Sequence, residues 1–209
     1  MIFENSRHPK ILGAVYNILN IGLPPEKTRP YADHLICQLH PKYAGDGVDF
    51  AWHQDVKHRR SWDSEWSDIN GNGSFVQTLM AIDQITKDNG PILIAPFDKE
   101  KHGKDLELPY KFNHPDLSMY FDLNKVTTLE MSPGDIVFIN PYLIHGSYPN
   151  NSPGTTRYLL VNGYAAVGAN HRLYPGRGSC ARVDLTNGNV TNDHLSQLRE
   201  CKIELFGSI

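Results

Sequence analysis

Short apolar segments separated by turn-forming residues are the feature that most constrains the fold of this chain. About eight such segments are rich in Val, Ile, Leu, Phe and Tyr, and Gly, Pro, Asn and Asp fill the gaps between them. Because no helical pattern alternates with these segments, they predict a mainly β domain of the sandwich, barrel or jelly-roll type. The predicted strands are His34–His40, Val48–His53, Phe75–Asp83, Pro91–Ala95, Lys125–Met131, Asp135–Asn140, Tyr142–Gly146 and Thr156–Ala165.

Helical periodicity is found only near the two ends of the sequence. Apolar residues from Ile11 to Leu19 recur at helical spacing and predict a helix over residues 10–20, which Pro24 and Pro25 would prevent from continuing. A second helix is predicted over residues 192–203. With 209 residues, the chain is expected to form a single domain with a β core at about residues 33–166.

Charge and cysteine content exclude several classes of function. A formal charge of −3 and a pI near 6.3 argue against a protein that binds nucleic acids or membranes by electrostatic attraction. Three cysteines without CxxC spacing indicate a reducing compartment, so a cytoplasmic location is expected. No apolar run approaches the roughly 20 residues of a membrane span, and the N-terminus lacks a signal-peptide pattern. The sequence does not indicate the oligomeric state.

A histidine and a carboxylate two residues apart are the first sign of metal chemistry. His53 and Asp55 end an apolar segment, and residues i and i+2 of an extended strand point to the same face. His145, at the end of another apolar stretch, is the best candidate for a third ligand. Two histidines and one carboxylate form the facial triad of non-haem Fe(II) oxygenases, which leaves positions open for a 2-oxo acid and for O2.

Arg157 is a candidate for binding the far end of such a co-substrate. 2-Oxoglutarate carries a second carboxylate, and burying that charge without a partner would be costly. Arg157 lies twelve positions after His145 on the next predicted strand, which could return it to the same cavity if the two strands are antiparallel. A guanidinium offers the planar pair of donors that a carboxylate matches. From spacing alone, a histidine-rich β domain without metal remains an alternative.

Three sequence blocks resemble the phytanoyl-CoA dioxygenase-like family, which includes ectoine hydroxylase. The blocks are WHQD, ITKDNGPILIAP and SPGDIVFINPYLIHGSYPNNSPGTTR, and they occur in the family's order between Leu35 and Ala166. The resemblance implies a double-stranded β-helix (a jelly roll, cupin-like) with flanking helices. It also implies an Fe(II)- and 2-oxoglutarate-dependent dioxygenase that uses O2, hydroxylates a small molecule and releases succinate and CO2.

The resemblance also assigns roles to individual residues. His53, Asp55 and His145 match the iron ligands of the family. The residues that match its co-substrate site are Arg157, Ser147, His40 and Gln77. Related halogenases replace the carboxylate ligand by a small residue so that chloride can bind iron. The presence of Asp55 therefore favours hydroxylation, or another oxidative outcome, over halogenation.

The substrate is less constrained than the metal site. Candidate substrate contacts are Gln38, Trp52, Trp62 and Trp66, and the segment 56–74 is expected to fold over the substrate. An ordinary surface loop is the alternative for that segment. Two alternative functions also remain open, a cupin-type isomerase or hydrolase with another divalent metal and an inactive jelly-roll binding protein.

Overall fold

A computed structural model describes residues 2–56, 66–69, 73–96, 121–169 and 181–191 of the chain. Within these ranges the protein is mainly β, with two helices near the N-terminus. The helices are α1 (Ile2–Ser6) and α2 (Pro9–Leu19). The strands are β1 (Tyr31–Lys42), β2 (Phe50–His53), β3 (Phe75–Ala81), β4 (Ile92–Ile94), β5 (Thr127–Leu129), β6 (Ile136–Ile139), β7 (His145–Ser147), β8 (Arg157–Ala166), β9 (Ala181–Asp184) and β10 (Val190–Thr191).

The strands form two sheets. One has six strands in the order β10-β9-β1-β8-β3-β6, and the other has four in the order β2-β7-β4-β5. In the four-stranded sheet, β7 is antiparallel to both β2 and β4, and β4 is antiparallel to β5. The short strand β7 therefore has a hydrogen-bonded neighbour on each side, which fixes the directions of its side chains.

The chain divides into two compact units. The first takes its described residues from Met1–Gln38, Trp62–Gln77 and Val161–Ile209, and the second from Leu39–Ser61 and Thr78–Leu160. All three candidate metal ligands and Arg157 belong to the second unit.

The amphipathic pattern of α2 explains both its position and its length. Ile11, Leu12, Val15 and Leu19 are buried on one side, as their spacing predicts. The His8 side chain accepts a hydrogen bond from the Lys10 amide at the start of the helix. The helix ends at Leu19, several residues before the prolines, because Asn20 caps it and donates its side-chain amide to the Tyr16 carbonyl at 2.8 Å. The prediction over residues 10–20 is thus correct to within one residue at each end.

The core of the first unit combines an apolar cluster with a buried polar pair. The apolar cluster consists of Leu35, Trp66, Phe75, Ala165, Ala166 and Ala169. Beside it in sequence, His34 stacks on Tyr164 with ring centroids 4.8 Å apart, and its Nε2 lies 3.2 Å from Oδ1 of Asn162. Burial lowers the pKa of His34 to about 4, although the bond to Asn162 opposes this shift, so the imidazole is neutral at pH 7.

In the second unit, Ser132–Asp135 form a tight turn. The Asp135 amide donates to the Ser132 carbonyl at 2.9 Å, and the Asp135 carboxylate accepts from the Ser132 amide at 2.8 Å. Gly134 has a φ of +91°, a backbone conformation that residues with a Cβ rarely adopt. This turn connects β5 to β6.

All eight predicted strands are present with different bounds; β1 is longer than predicted, and the others are shorter or shifted. The largest shift is at β7, which begins at His145 because Asn140, Tyr142 and Leu143 form a turn before it. β9 and β10 were not predicted. The helix predicted over residues 192–203 lies outside the described residues. No helix in the described part of the chain is long and apolar enough to span a membrane.

A test of the packing in the first unit uses two glycines. A Cβ at Gly163 would lie 2.8 Å from Phe75 Cζ and 3.0 Å from Ile36 Cδ1, whereas a Cβ at Gly13 in α2 would meet nothing within 4 Å. Gly163→Ala should lower the free energy of unfolding by about 1–3 kcal/mol through overpacking. Gly13→Ala should raise it by about 0.5–1 kcal/mol through helix propensity. Urea unfolding of the full chain measures both, and equal stability of Gly163→Ala and wild type would contradict this account.

Candidate metal centre

The pairing of β2 with β7 brings the two histidines together. His53 is the direct partner of His145 across the antiparallel pair, and their ring centroids lie 4.2 Å apart. Between His145 and Ser147, Gly146 allows the β2 backbone to approach, since a Cβ there would lie 2.8 Å from the Phe50 carbonyl oxygen. The glycine of the His-Gly-Ser sequence is therefore required by the close approach of the backbone.

Asp55 follows β2, and two hydrogen bonds hold its segment against the turn that precedes β7. The Gln54 side-chain amide donates to the Tyr142 carbonyl at 2.6 Å, and the Val56 amide donates to the Pro141 carbonyl at 3.0 Å. Gln54 is almost completely buried, with 1% of its surface exposed. The residue between the two candidate ligands thus positions the carboxylate.

His53, Asp55 and His145 form a cluster that could hold a metal ion. One ligand atom from each lies within 4.8 Å of the other two. Asp55 Oδ1 is 3.8 Å from His53 Nε2 and 4.0 Å from His145 Nε2. These separations are too long for hydrogen bonds, so direct bonds between the side chains do not explain the cluster. Asp55 Oδ2 is also buried without a hydrogen-bond partner in the described part of the chain.

Backbone carbonyls orient both imidazoles toward the carboxylate. His53 Nδ1 lies 2.7 Å from the Ala51 carbonyl oxygen, and His145 Nδ1 lies 3.0 Å from that of Leu143. A carbonyl oxygen can only accept, so each Nδ1 carries a hydrogen, and Nε2 is the nitrogen that each ring can offer to a metal. Such hydrogen bonds on the second nitrogen are usual for metal-binding histidines. The donor set of two imidazoles and one carboxylate fits a divalent iron ion.

The three side chains of the cluster differ in exposure. The side chains of Asp55 and His145 are 7% and 6% exposed, whereas that of His53 is 28% exposed. Charges in such a partly buried site interact more strongly than they would in water.

A buried hydroxyl lies next to the cluster along β7. Ser147 is two residues after His145 on the strand, so their side chains share a face. Its hydroxyl oxygen and the Nε atom of Arg157 are both buried without a hydrogen-bond partner among the described residues. The other end of the Arg157 guanidinium, Nη2, donates to the Gly90 carbonyl.

Arg157 is a buried cation. It begins β8 and is 2% exposed. Burial lowers its pKa to about 10, against the opposing effect of the Asp83 carboxylate, so the guanidinium remains charged at neutral pH. A buried charge with an unused donor is stabilised by an anionic partner.

The other predicted site residues have different environments. His40 is half-buried and stacks on Phe50 with centroids 6.1 Å apart, and burial followed by the charge of Arg157 lowers its pKa. Gln77 is half-buried on β3, and Gln38 is exposed on β1. These three remain predictions as co-substrate or substrate contacts.

The tryptophans predicted to contact substrate are found in apolar surroundings where they are described. Trp52 packs edge-on against Phe121 with centroids 4.8 Å apart, next to Ala95 and Ile144. Trp66 belongs to the apolar cluster of the first unit. Trp62 and most of the predicted lid over residues 56–74 lie outside the described residues. Packing accounts for the positions of Trp52 and Trp66, and their contribution to substrate binding remains a prediction.

Sequence reasoning overlooked three residues near this centre. Gln54 lies between the two predicted ligands of the HQD motif, and this position could have identified it. Gly90 lies inside the DNGP block, and its φ of +86° explains the glycine. Lys42, which is 2% exposed, carried no signal in the sequence.

Comparison with known proteins identifies the family. The family model described as phytanoyl-CoA dioxygenase matches residues 4–158. The chain belongs to this family. A methylphosphonate hydroxylase from Gimesia maris is 30% identical over 159 residues, which cover 72% of this chain and 54% of that protein. The chain therefore spans about half of the length of this relative.

Solved structures show the same fold. EctD from S. alaskensis, with 2-oxoglutarate and 5-hydroxyectoine, has a TM-score of 0.59 and 18% identity, covering 79% of this chain and 52% of that chain. The epimerase SnoN, in complex with Fe3+, alpha ketoglutarate and nogalamycin RO, has a TM-score of 0.55 and 13% identity, covering 78% of this chain and 57% of that chain. The expected double-stranded β-helix is confirmed. Iron and 2-oxoglutarate are the cofactor and co-substrate of this family, and the His-Asp-His cluster is present to receive them.

The metal site can be tested by removing single ligands. Asp55→Ala and His145→Ala should each weaken Fe(II) binding by more than about 100-fold, because loss of even an outer-sphere partner costs about 10–100-fold. His8→Ala removes a histidine at the start of α2 in the first unit and should leave affinity unchanged. Anaerobic calorimetric titration measures the Kd, and unaltered affinity in both ligand variants would place the metal elsewhere.

Proposed function

We propose that this chain is an Fe(II)- and 2-oxoglutarate-dependent oxygenase that hydroxylates a small molecule and releases succinate and CO2. The observation that carries the proposal is the side-by-side arrangement, on one strand, of a histidine of the metal cluster and a buried hydroxyl without a partner. A buried guanidinium with an unused donor completes the arrangement. Together these groups match a metal ion and a 2-oxo acid that chelates it and carries a second carboxylate.

His53, Asp55 and His145 would hold the iron. Their two neutral rings and one carboxylate would leave one net positive charge on an Fe(II) site, which favours an anionic co-substrate. Because only these three side chains converge among the described residues, the remaining coordination positions would be available to small molecules. Bound iron supplies the dioxygen chemistry that the side chains of the protein cannot perform.

Ser147 and Arg157 would hold the distal carboxylate of 2-oxoglutarate. Ser147 Oγ and Arg157 Nε are donors without a partner in the described part of the chain, and a carboxylate accepts from both kinds of group. The Gly90 carbonyl keeps the guanidinium oriented by accepting from its Nη2. This pre-organisation reduces the entropy lost when the co-substrate binds.

The surroundings of the cluster limit access of water. Asp55 and His145 are buried, and Trp52 packs with Phe121, Ala95 and Ile144 beside the strands that carry the ligands. Excluding water strengthens the electrostatic interactions within the site and suppresses side reactions. A carboxylate at position 55 also occupies the place that a halide would need, which supports hydroxylation over halogenation.

The substrate is proposed to be a small molecule in the cytoplasm. The family acts on small molecules, and the methylphosphonate hydroxylase and the ectoine-related enzyme suggest compact polar compounds as a first panel. Cys37 is a free thiol, in keeping with a reducing compartment.

Product formation tests the proposed reaction. The full chain, incubated with Fe(II), 2-oxoglutarate, O2 and the substrate panel, should release succinate, and release should stop when 2-oxoglutarate or iron is omitted. Metal binding without succinate would support the cupin-type isomerase or hydrolase instead. Neither metal binding nor succinate would support an inactive binding protein.

A second experiment tests the role of Arg157. Arg157→Leu should raise the Kd for 2-oxoglutarate by about 10-fold or more, since a charge-assisted bond to the distal carboxylate is lost. Fe(II) affinity should remain within about 2-fold of wild type, because the guanidinium is not expected to bind the metal. Arg29→Leu, an exposed arginine of the first unit, is the matched control. Anaerobic calorimetry with the Fe(II)-loaded chain measures both constants, and an unchanged Kd in Arg157→Leu would refute this assignment.

A further inference from the structure

Lys42 is a buried ammonium at the end of β1 that the reaction described above does not use. It is 2% exposed, and its Nζ donates to the carbonyl oxygens of Val48, at 3.0 Å, and Tyr148. Nζ also lies 5.4 Å from the centroid of the Phe50 ring. Phe50 is the β2 residue that pairs with Ser147 of β7, so Lys42 adjoins the Ser147 end of that strand pair.

Lys42 and Arg157 are both adjacent to Gly90. Arg157 donates to the Gly90 carbonyl, and a Cβ built on Gly90 would lie 2.5 Å from Lys42 Cδ. The charge of Arg157 also acts on the pKa values of Lys42 and His40. Two cations are thus held close to one glycine of the DNGP turn.

The charges of these two cations are not balanced by direct ion pairs. Among the described residues, no carboxylate lies within ion-pair distance of Lys42 or Arg157, and Asp46, Asp49 and Asp83 act on them only from farther away. The direct partners of Lys42 are neutral carbonyls, which a neutral donor could also satisfy. Burying an ammonium close to a guanidinium is costly unless an anion lies between them.

We propose that Lys42 is a specificity-determining residue that adds a second positive charge to the distal carboxylate site and selects 2-oxo dicarboxylic acids over 2-oxo monocarboxylic acids. This inference rests on the proposed function, because it requires the co-substrate to point its second carboxylate toward Arg157. The neighbouring imidazole of His40 is neutral above pH 7 because burial and Arg157 lower its pKa, so it does not share this task.

The same arrangement predicts how selectivity depends on pH. Burial, followed by the charge of Arg157, lowers the pKa of Lys42 to about 8, against the opposing effects of Asp49 and Asp46. A bound carboxylate favours the charged ammonium and therefore raises this pKa. The contribution of Lys42 to binding is thus complete below pH 8 and is lost as the pH rises through 8 toward the higher pKa of the complex.

The test compares two co-substrates of equal chain length. 2-Oxopentanoate has a methyl group where 2-oxoglutarate has its distal carboxylate, so the ratio of their Kd values reports that carboxylate alone. In the Fe(II)-loaded full chain under anaerobic conditions, Lys42→Met should lower the preference for 2-oxoglutarate about 10-fold or more and leave the Kd of 2-oxopentanoate within about 2-fold. Lys87→Met, at an exposed lysine of the second unit, should leave both constants unchanged.

A purely structural role would give a different result. If Lys42 only ties the Val48 and Tyr148 carbonyls together, its loss should weaken both acids equally and leave their ratio unchanged, which would overturn the inference. Should Lys42→Met fail to fold, the wild-type chain provides the measurement, since its preference for 2-oxoglutarate should fall several-fold between about pH 7 and about pH 9. A constant ratio over this range would also overturn it.

Arg157→Leu separates failure of this inference from failure of the proposed function. If wild type has no preference for 2-oxoglutarate at pH 7, or if Arg157→Leu does not reduce that preference, the proposed co-substrate site is wrong. If Arg157→Leu reduces the preference while Lys42→Met and pH leave it unchanged, only the role of Lys42 is wrong.

Discussion

The pairing of β2 with β7 is the interaction on which the candidate centre depends. It sets His53 directly opposite His145, and the glycine at position 146 permits the close approach of the two backbones. Hydrogen bonds from Gln54 and Val56 then fix the segment that carries Asp55. Since most of these constraints are backbone contacts, the strand pairing itself sets the positions of the three ligands.

The buried guanidinium of Arg157 connects the sequence motif DNGP to the site, because it donates to the carbonyl of Gly90 in that motif. The Asn89 side chain donates to the Gln84 carbonyl at 2.7 Å and accepts from the Thr86 amide at 2.8 Å, which shapes the turn. The turn presents the Gly90 carbonyl to Arg157, and the missing side chain of Gly90 leaves room for Lys42. The turn therefore serves to orient a guanidinium, a role that its position in the sequence does not reveal.

The mainly β fold and the convergence of the three ligands were predictable from sequence, because strand periodicity and the i, i+2 rule are local. The rule identified His53 and Asp55, although β2 ends at His53 and hydrogen bonds from Gln54 and Val56, rather than strand geometry, hold the segment that carries Asp55. His145 and Arg157 were identified by their places on the following predicted strands, and the family blocks match both. β9 and β10 were missed because they are short and lack an apolar run. Lys42 was missed because its burial depends on partners at positions 48, 90 and 148, whose proximity only the folded chain creates.

The short strand β7 fixes the distance between the metal cluster and the proposed carboxylate site. His145 at one end belongs to the metal cluster and Ser147 at the other faces the proposed carboxylate site, so their separation is two residue advances, roughly 7 Å along an extended strand. Hydrogen-bonded neighbours on both sides prevent the strand from sliding, and a slip of one residue would turn both side chains to the opposite face. The length of acid that can bridge the two ends is thereby set by covalent backbone geometry rather than by adjustable side chains.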